Sequence, residues 1–424
     1  MITTKYVRDN LESIRKSLVR RRSDYNIEEV LKLDSEWRRL KTETQALQEK
    51  RNKASMEVSA LKKKGSNDEA EKMIMQLSEI KENIEENDAK VSKLESDIYR
   101  ILLSLPNVLH DSVPYGADES ENVEIKRYRE PSKRISRNHE EIALNLGMLD
   151  IERAAKIAGA RFYYLKGDLA LLDLSVSRFA LDFLASRGYT PVIPPFMMRE
   201  DAYKGVTSLE DFDNVLYKVG NNEDGKDLKM IATSEHPIAA MYMDEILEKA
   251  RLPIKYAGIS PCFRMEAGTH GKDTKGIFRV HQFHKVEQFI FAKQDESWRL
   301  FDEMLANSED IFKRLDIPYR LVNICTGDIG IVAAKKIDIE AYMPSQGTYR
   351  EVVSCSNCTD WQSLRLNIRY DEDGERRFVH TLNSTAVATT RTIVAIIENY
   401  ANDDGTITVP EALVPYMGKR IIGK

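Results

Sequence analysis

Between Ile27 and Leu102 apolar residues recur three and four positions apart with little interruption. Val30, Leu33, Trp37, Leu40, Thr44, Leu47, Arg51, Ala54, Val58 and Leu61 make one series. Ala70, Met73, Leu77, Ile80, Ile84, Asn87, Val91, Leu94, Ile98 and Ile101 make a second. Such spacing keeps side chains on one stripe of an α-helix, and apart from Gly65 no glycine or proline occurs before Pro106. Two series separated by the polar segment KKKGSND predict an antiparallel two-helix coiled coil. Folding about that segment sets Leu61 against Ala70, Leu47 against Ile84, Leu33 against Ile98 and Val30 against Ile101. The same register brings Thr44 to Asn87, so the polar interruptions of the seam are expected to meet and fix the alignment. At 1.5 Å per residue, each helix would be a rod on the order of 50 Å long.

Charge is shared unevenly along this rod. The first helix carries Arg38, Arg39, Lys41, Lys50, Arg51 and Lys53, and its end carries Lys62, Lys63 and Lys64. The second is acid-rich, with Glu79, Glu82, Glu85, Glu86, Asp88, Glu95 and Asp97. Most of these side chains are expected to be solvated or paired between the helices. The basic edge and the lysine tip are the part suited to a phosphate backbone, in a positioning role rather than a sequence-reading one. A weaker basic cluster (Arg15, Lys16, Arg20, Arg21, Arg22) precedes the rod.

The pattern changes after Pro106. As far as about Glu141 the chain is mixed and polar, with Pro114, Gly116 and Pro131, which marks a boundary between residues 1–106 and a core over 107–424. Leu169, Leu172, Val176, Phe179, Phe183 and Leu184 then return to helical spacing, Gly188 ends that helix, and TPVIPPF reads as a strand closing on Pro195. In LKMIATSEHPIAAMY, Thr233, Ser234 and Glu235 sit between apolar runs, which by itself could be a capping box without its second step.

From Tyr256 to Phe291 two alternating runs flank a loop of about a dozen residues holding Gly268, Gly271 and Gly276. Strict alternation places Cys262, Arg264 and Glu266 on one face of the first strand, and Arg279, His281, Lys285 and Glu287 together on the second. Phe278 then belongs at the loop's end. Arg264 can fork onto phosphate oxygens and Phe278 offers a plane for a purine. A surface ion pair beside a core phenylalanine is the alternative.

Composition narrows the field. The 424 residues suffice for two or three domains, and 42% hydrophobic with 31% charged residues describes an ordinary folded chain. A formal charge of -5 means that any RNA contact must come from local patches. No run of about 18 apolar residues occurs and MITTKYVRDN is not a signal peptide. Four cysteines, Cys262, Cys325, Cys355 and Cys358, are too few for a disulfide framework, so a reducing cytoplasm is expected. Cys355 and Cys358 form a CxxC, but no second pair accompanies it, and two buried thiols are expected rather than half a zinc site or a redox dithiol. Neither GxxxxGK[ST] nor GxGxxG is present, so a nucleotide would not be held by a P-loop or a Rossmann turn.

FRMEAG followed by GIFRVHQFHKVEQF closely resembles motif 2 of class II aminoacyl-tRNA synthetases, in the form carried by seryl-tRNA synthetases. The helix and strand over about 168–198 resemble motif 1, which forms that class's dimer interface, and FVHTLNSTAVATTRTIVAIIENY over about 378–400 resembles motif 3. The resemblance covers nearly the whole chain and implies an α+β fold: an antiparallel-sheet catalytic core, with the hairpin at about 27–102 as the arm that holds the long variable arm of tRNA(Ser). It implies serine activation by ATP with Mg²⁺, transfer to the tRNA 3′ end, and a homodimer.

Carried over residue by residue, the resemblance gives Arg264 the α-phosphate and Arg391 the γ-phosphate. Glu266 and Val280 hold adenine, Phe278 stacks on it, and Glu351 and Ser354 ligate Mg²⁺, with Met265, Val352 and Val353 in the same ATP-binding stretches. Thr233, Ser234, Glu235, Arg264, Glu287, Asn383 and Thr385 hold serine, while Arg38, Arg39, Lys62, Lys63 and Lys64 are the tRNA candidates. Motif 3 departs from the glycine-rich bacterial form at Ser384, Ala388, Thr389 and Thr390. Charging of tRNA(Sec) is a further reading within this function. Rival readings are a non-catalytic RNA-binding paralogue and an amino acid ligase serving a carrier protein.

Overall fold

The computed structural model describes residues 4–131, 134–208, 215–221, 225–266 and 275–423. Gly268 and Gly271 lie outside them. Contacts divide the chain into two compact units, one ending at Pro106 and the other beginning at Asn107.

In the first unit α1 (Ile27–Lys64) and α2 (Asn67–Leu103) form an antiparallel hairpin. The Asn26 side chain caps α1 by accepting from the N–H of Glu29, and Gly65, at φ 81°, ends it in the left-handed conformation that glycine tolerates. Every apolar seam position is buried or half-buried. Arg51 is the exception, exposed on its stripe. The expected Thr44–Asn87 pair is not formed as a hydrogen bond: Thr44 is buried, but its hydroxyl oxygen has no partner. The buried polar anchor of the arm is instead Asp34, 1% exposed, which accepts from Arg8 at 2.6 Å and from Arg38 at 3.1 Å. Arg8 lies on the helix Thr4–Asp9, so this carboxylate ties the chain's start to the base of the hairpin.

The second unit is built on an eight-stranded sheet. Its strands are β1 (Val123–Tyr128), β2 (Thr190–Val192), β3 (Ile254–Phe263), β4 (Gln282–Ala292), β5 (Tyr319–Asn323), β6 (Lys335–Met343), β7 (Thr348–Asn357) and β8 (His380–Ala388). They run in the order β1-β5-β6-β7-β8-β4-β3-β2. All neighbours are antiparallel except β2 and β3, so the sheet carries one parallel pair at its edge. The strand expected to close on Pro195 stops at Val192, before Pro194 and Pro195.

Three helices, α4 (Asp168–Ser186), α5 (Ser297–Arg314) and α6 (Thr389–Tyr400), contribute with one face of the sheet to the main hydrophobic core. A shorter helix, α3 (His139–Asn145), joins them. Side chains alternate along β4: Val286 and Ile290 enter this core, while Lys285 and Glu287 face the other way. Each apolar side chain fully buried here contributes roughly 1.5–3 kcal/mol, and Ile393, Val394, Ile396 and Ile397 of α6 are all at 0% exposure. One face of the sheet is thus committed to this core; on the other, Phe289 and Phe291 of β4 join a second hydrophobic cluster, and Lys285 and Glu287 line a cavity.

Candidate active site

Strict alternation does not by itself bring the site residues to that second face. On β7, Glu351 and Ser354 are three positions apart and would point to opposite sides. The register shows how they come together: Ile339 pairs with Val353, but Glu340 pairs with Glu351, so Val352 is an extra residue, a β-bulge. A second bulge lies on β8, where Val286 faces Val387 but Glu287 faces Thr385, leaving Ala386 extra. Glu351, Ser354, Thr385 and Ala388 consequently all line one cavity of about 800 Å³, within the range of small-molecule sites.

Arg264 and Glu266 reach the same cavity from beyond the end of β3, not from its face as alternation suggested. There the backbone turns: the Arg264 N–H donates to the carbonyl of His281, the Met265 N–H to that of Val215, and Glu266 takes φ 47°. Cys262, the third member of the expected face, is buried in the core. Arg279 and His281 precede β4, so they do not share its alternation either. Phe278 lies in that same non-strand segment, as expected, at 4% exposure. The guanidinium of Arg391 is 5.1 Å from its ring and that of Arg350 is 5.3 Å.

Arg391 starts from the first turn of α6 and meets Glu351 at 3.2 Å, while also donating to the Glu351 carbonyl at 3.0 Å. Burial would raise the Glu351 carboxyl, but Arg391, Lys336 and Arg264 outweigh it and hold the carboxyl below its ordinary value. Opposite Ser354 across the β6–β7 pairing is Asp338, pushed up to about 7 mainly by burial, with Lys336 opposing. One Asp338 oxygen is buried and without a partner.

Deeper in the cavity are two more carboxylates. Glu287 is paired with Lys285 at 2.6 Å and accepts from the Thr385 hydroxyl at 3.2 Å. Glu235 accepts from the side-chain amides of Gln362 and Asn383, each at 3.1 Å. Burial and the neighbouring Glu287 raise Glu235 to about 7, against the pull of Lys285, Gln362 and Arg264. Thr233 also lines the cavity and accepts from the Glu235 N–H. Ser234 does not line it: its hydroxyl donates to the carbonyl of Gly258, where an added Cβ would strike the serine. Met265 and Val353 are off the cavity wall as well, whereas Val280 and Val352 are on it.

Lys285, Lys336, Asp338, Arg350 and Gln362 were given no chemistry by the sequence. Alternation with Glu287 was the only signal for Lys285, and nothing in spacing singled out the rest. Cys358 borders the cavity, and Cys355 is in the core. Both thiols are pushed up by burial, and among the described residues no group of His, Cys, Asp and Glu could hold a metal on its own. On the arm, Arg38 and Arg39 are engaged with Asp34 and Glu43, while Lys62, Lys63 and Lys64 are exposed.

Residues 217–400 match the model for the tRNA synthetase class II core domain of the G, H, P, S and T enzymes, and residues 1–109 match that for the seryl-tRNA synthetase N-terminal domain. A serine–tRNA ligase from Methanoculleus marisnigri is 52% identical over 98% of this chain and 99% of its own length. The chain belongs to the seryl-tRNA synthetase family. Two solved structures agree with that. The seryl-tRNA synthetase of Pyrococcus horikoshii complexed with ATP superimposes with a TM-score of 0.93 at 46% identity, covering 100% of this chain and 99% of that one. The cytoplasmic serine–tRNA ligase of Naegleria fowleri in complex with AMP gives 0.88 at 38% identity, covering 97% and 96%. The synthetase is thus an ATP-dependent ligase that joins serine to tRNA, and the cavity residues from Thr233 to Arg391 all fall inside its class II core.

Proposed function

We propose that the 800 Å³ cavity holds ATP and serine side by side, with the roles divided along its length. Arg264 and Arg391 are the ends of the ATP site, neutralising the α- and γ-phosphates, with the adenine stacked on Phe278 beside Glu266 and Val280. The observation that carries this is the meeting of two guanidinium groups and an aromatic ring in one cavity from separate elements. Serine occupies the inner end. Glu235 faces its ammonium group with Thr233, while Glu287, Thr385 and Asn383 take its hydroxyl.

Glu351 and Ser354, brought to one face by the bulge, fit a Mg²⁺ site of two protein oxygens, completed by phosphate and water oxygens as that ion prefers. When bound there, Mg²⁺ supplies further neutralisation of phosphate charge. The chain's own residues do the rest by positioning and charge. The serine carboxylate attacks the α-phosphorus as pyrophosphate leaves, and the ribose hydroxyl at the tRNA end then displaces AMP from seryl-adenylate. No protein nucleophile is needed. Glu287 and Thr385 are buried and hydrogen-bonded to each other, so a serine hydroxyl gains bonds by joining this pair, and alanine or glycine, which cannot join it, is selected against.

The remaining partners follow the same logic. The lysine tip of the hairpin supports contact with the variable arm of tRNA(Ser). Leu171 and Leu174 on α4, at 48% and 62% exposure, and Ile193, at 77%, are exposed apolar side chains in the stretch that resembles motif 1, which supports a homodimer. Among the described residues no helix is long and apolar enough to cross a membrane, and reduced, buried cysteines are consistent with the cytoplasm. Serine-dependent exchange of pyrophosphate into ATP tests the reading. Exchange with serine but not alanine or glycine is expected, and exchange indifferent to the amino acid would refute it.

A further inference from the structure

His139, the first residue of α3, is 6% exposed and is not part of the cavity wall. Its two ring nitrogens face opposite kinds of group. Nε2 is 3.3 Å from the backbone nitrogen of Ile277, which can only donate. Nδ1 is 3.0 Å from Glu398 Oε1, a carboxylate oxygen that accepts. Both bonds together call for the tautomer with its hydrogen on Nδ1, and a flipped ring would forfeit them. Glu398 itself is anchored. It has no exposed side-chain surface and also accepts the backbone N–H groups of His139 and Ser345. Burial opposes its charge, but these hydrogen bonds prevail and keep its carboxyl below the ordinary range. Gly276, at φ 71°, lets the chain come this close, since a Cβ there would collide with Nε2.

What the histidine holds is the Gly276–Ile277 peptide, one residue before Phe278. Glu398 and Arg391 are seven residues apart on α6, which puts them within about 20° of the same helical face. One helix therefore presents Arg391 over the Phe278 ring at 5.1 Å and also, through Glu398 and His139, fixes the peptide leading into that ring. We propose that His139 is a positioning residue for ATP, holding the Ile277 peptide so that Phe278 is set for the adenine before the nucleotide arrives. The inference rests on the reading of Phe278 as the stacking surface.

The test uses serine-dependent pyrophosphate exchange by the full chain. In His139→Asn the amide can still donate to Glu398 but is too short to reach Ile277, whereas in His139→Gln the amide oxygen reaches the position of Nε2. Losing one buried hydrogen bond of this kind predicts that His139→Asn raises KM for ATP roughly 5- to 10-fold, leaving kcat and KM for serine within about twofold. His139→Gln is expected to restore KM for ATP to near the wild-type value, and Phe278→Leu to raise it at least as much as His139→Asn. If Phe278→Leu raises KM for ATP while His139→Asn does not, the positioning role is wrong and the stacking reading survives. If Phe278→Leu itself changes nothing, the stacking reading fails and the inference with it. A fall in kcat and melting temperature shared by both histidine variants would make His139 a structural residue only.

Discussion

The hairpin arm and the catalytic sheet are held by opposite kinds of information. In the arm, contacts follow from a local repeat: Val30, Leu40, Val58, Ala70, Ile84, Val91 and Ile98 are buried because each falls on a stripe that its neighbours in sequence define. In the sheet, the residues that matter meet only through long-range pairing. Glu287 reaches Thr385, and Arg391 reaches Glu351, across strands and helices far apart in the chain. A change in the arm should consequently alter its rigidity in small, additive steps, while a change in the cavity should act on chemistry out of proportion to its effect on folding.

The largest test of this contrast removes the arm. Replacing residues 27–103 by a short linker is expected to lower tRNA charging by a thousandfold or more, on the order of 4 kcal/mol, while serine-dependent pyrophosphate exchange stays within a few-fold. Joint loss of both activities would mean that the two regions are not separable. Next in size is Leu40→Ala. Leu40 is 4% exposed on the seam, and its truncation should cost the arm about 2–4 kcal/mol, seen as an earlier urea transition in far-ultraviolet ellipticity with exchange unchanged. An unchanged transition would show that the seam is not what holds the hairpin.

The third test uses protons. Since Glu235 is raised to about 7, the folded protein keeps a proton there that the unfolded chain has lost from about 4.5 upward, so its contribution to stability declines as pH rises through that window. Serine's ammonium group favours the ionised carboxylate, so binding expels the proton. KM for serine should fall about tenfold between pH 6 and pH 8 and level off above, with the KM for ATP nearly flat. Parallel profiles for the two substrates would contradict the assignment of Glu235. Smallest is Thr44→Val, which replaces a buried hydroxyl without a partner by a methyl group of the same shape. It should stabilise the arm by up to about 1 kcal/mol, and a loss of stability would reveal a partner for that hydroxyl.

How far each region could be read from sequence follows from the same difference. The hairpin's helices begin and end within a residue or two of where the 3,4 pattern and Gly65 placed them. What the pattern missed there is non-local: nothing in the repeat announces that Asp34 would be buried by Arg8. In the core, resemblance supplied the names of the site residues, but not the reason they share a face. Strict alternation separates Glu351 from Ser354 and places Arg264 on a strand that in fact ends at Phe263. Bulges and strand ends are set by pairing with other strands, which a single strand's sequence does not display. Gln362 was missed for that reason. Its role depends on lying 3.1 Å from Glu235, a residue on a different element.

On the proposed reading, Arg264 and Arg391, which line a single cavity, act together on one bound ATP. Serine-dependent pyrophosphate exchange by Arg264→Ala and Arg391→Ala, each checked for an unchanged melting profile, tests it most directly. The expected result is a loss of at least a hundredfold in kcat/KM for ATP in each variant, about 2.7 kcal/mol or more, with tRNA binding unchanged. Either variant retaining exchange within a few-fold of wild type, with its fold unchanged, would contradict it.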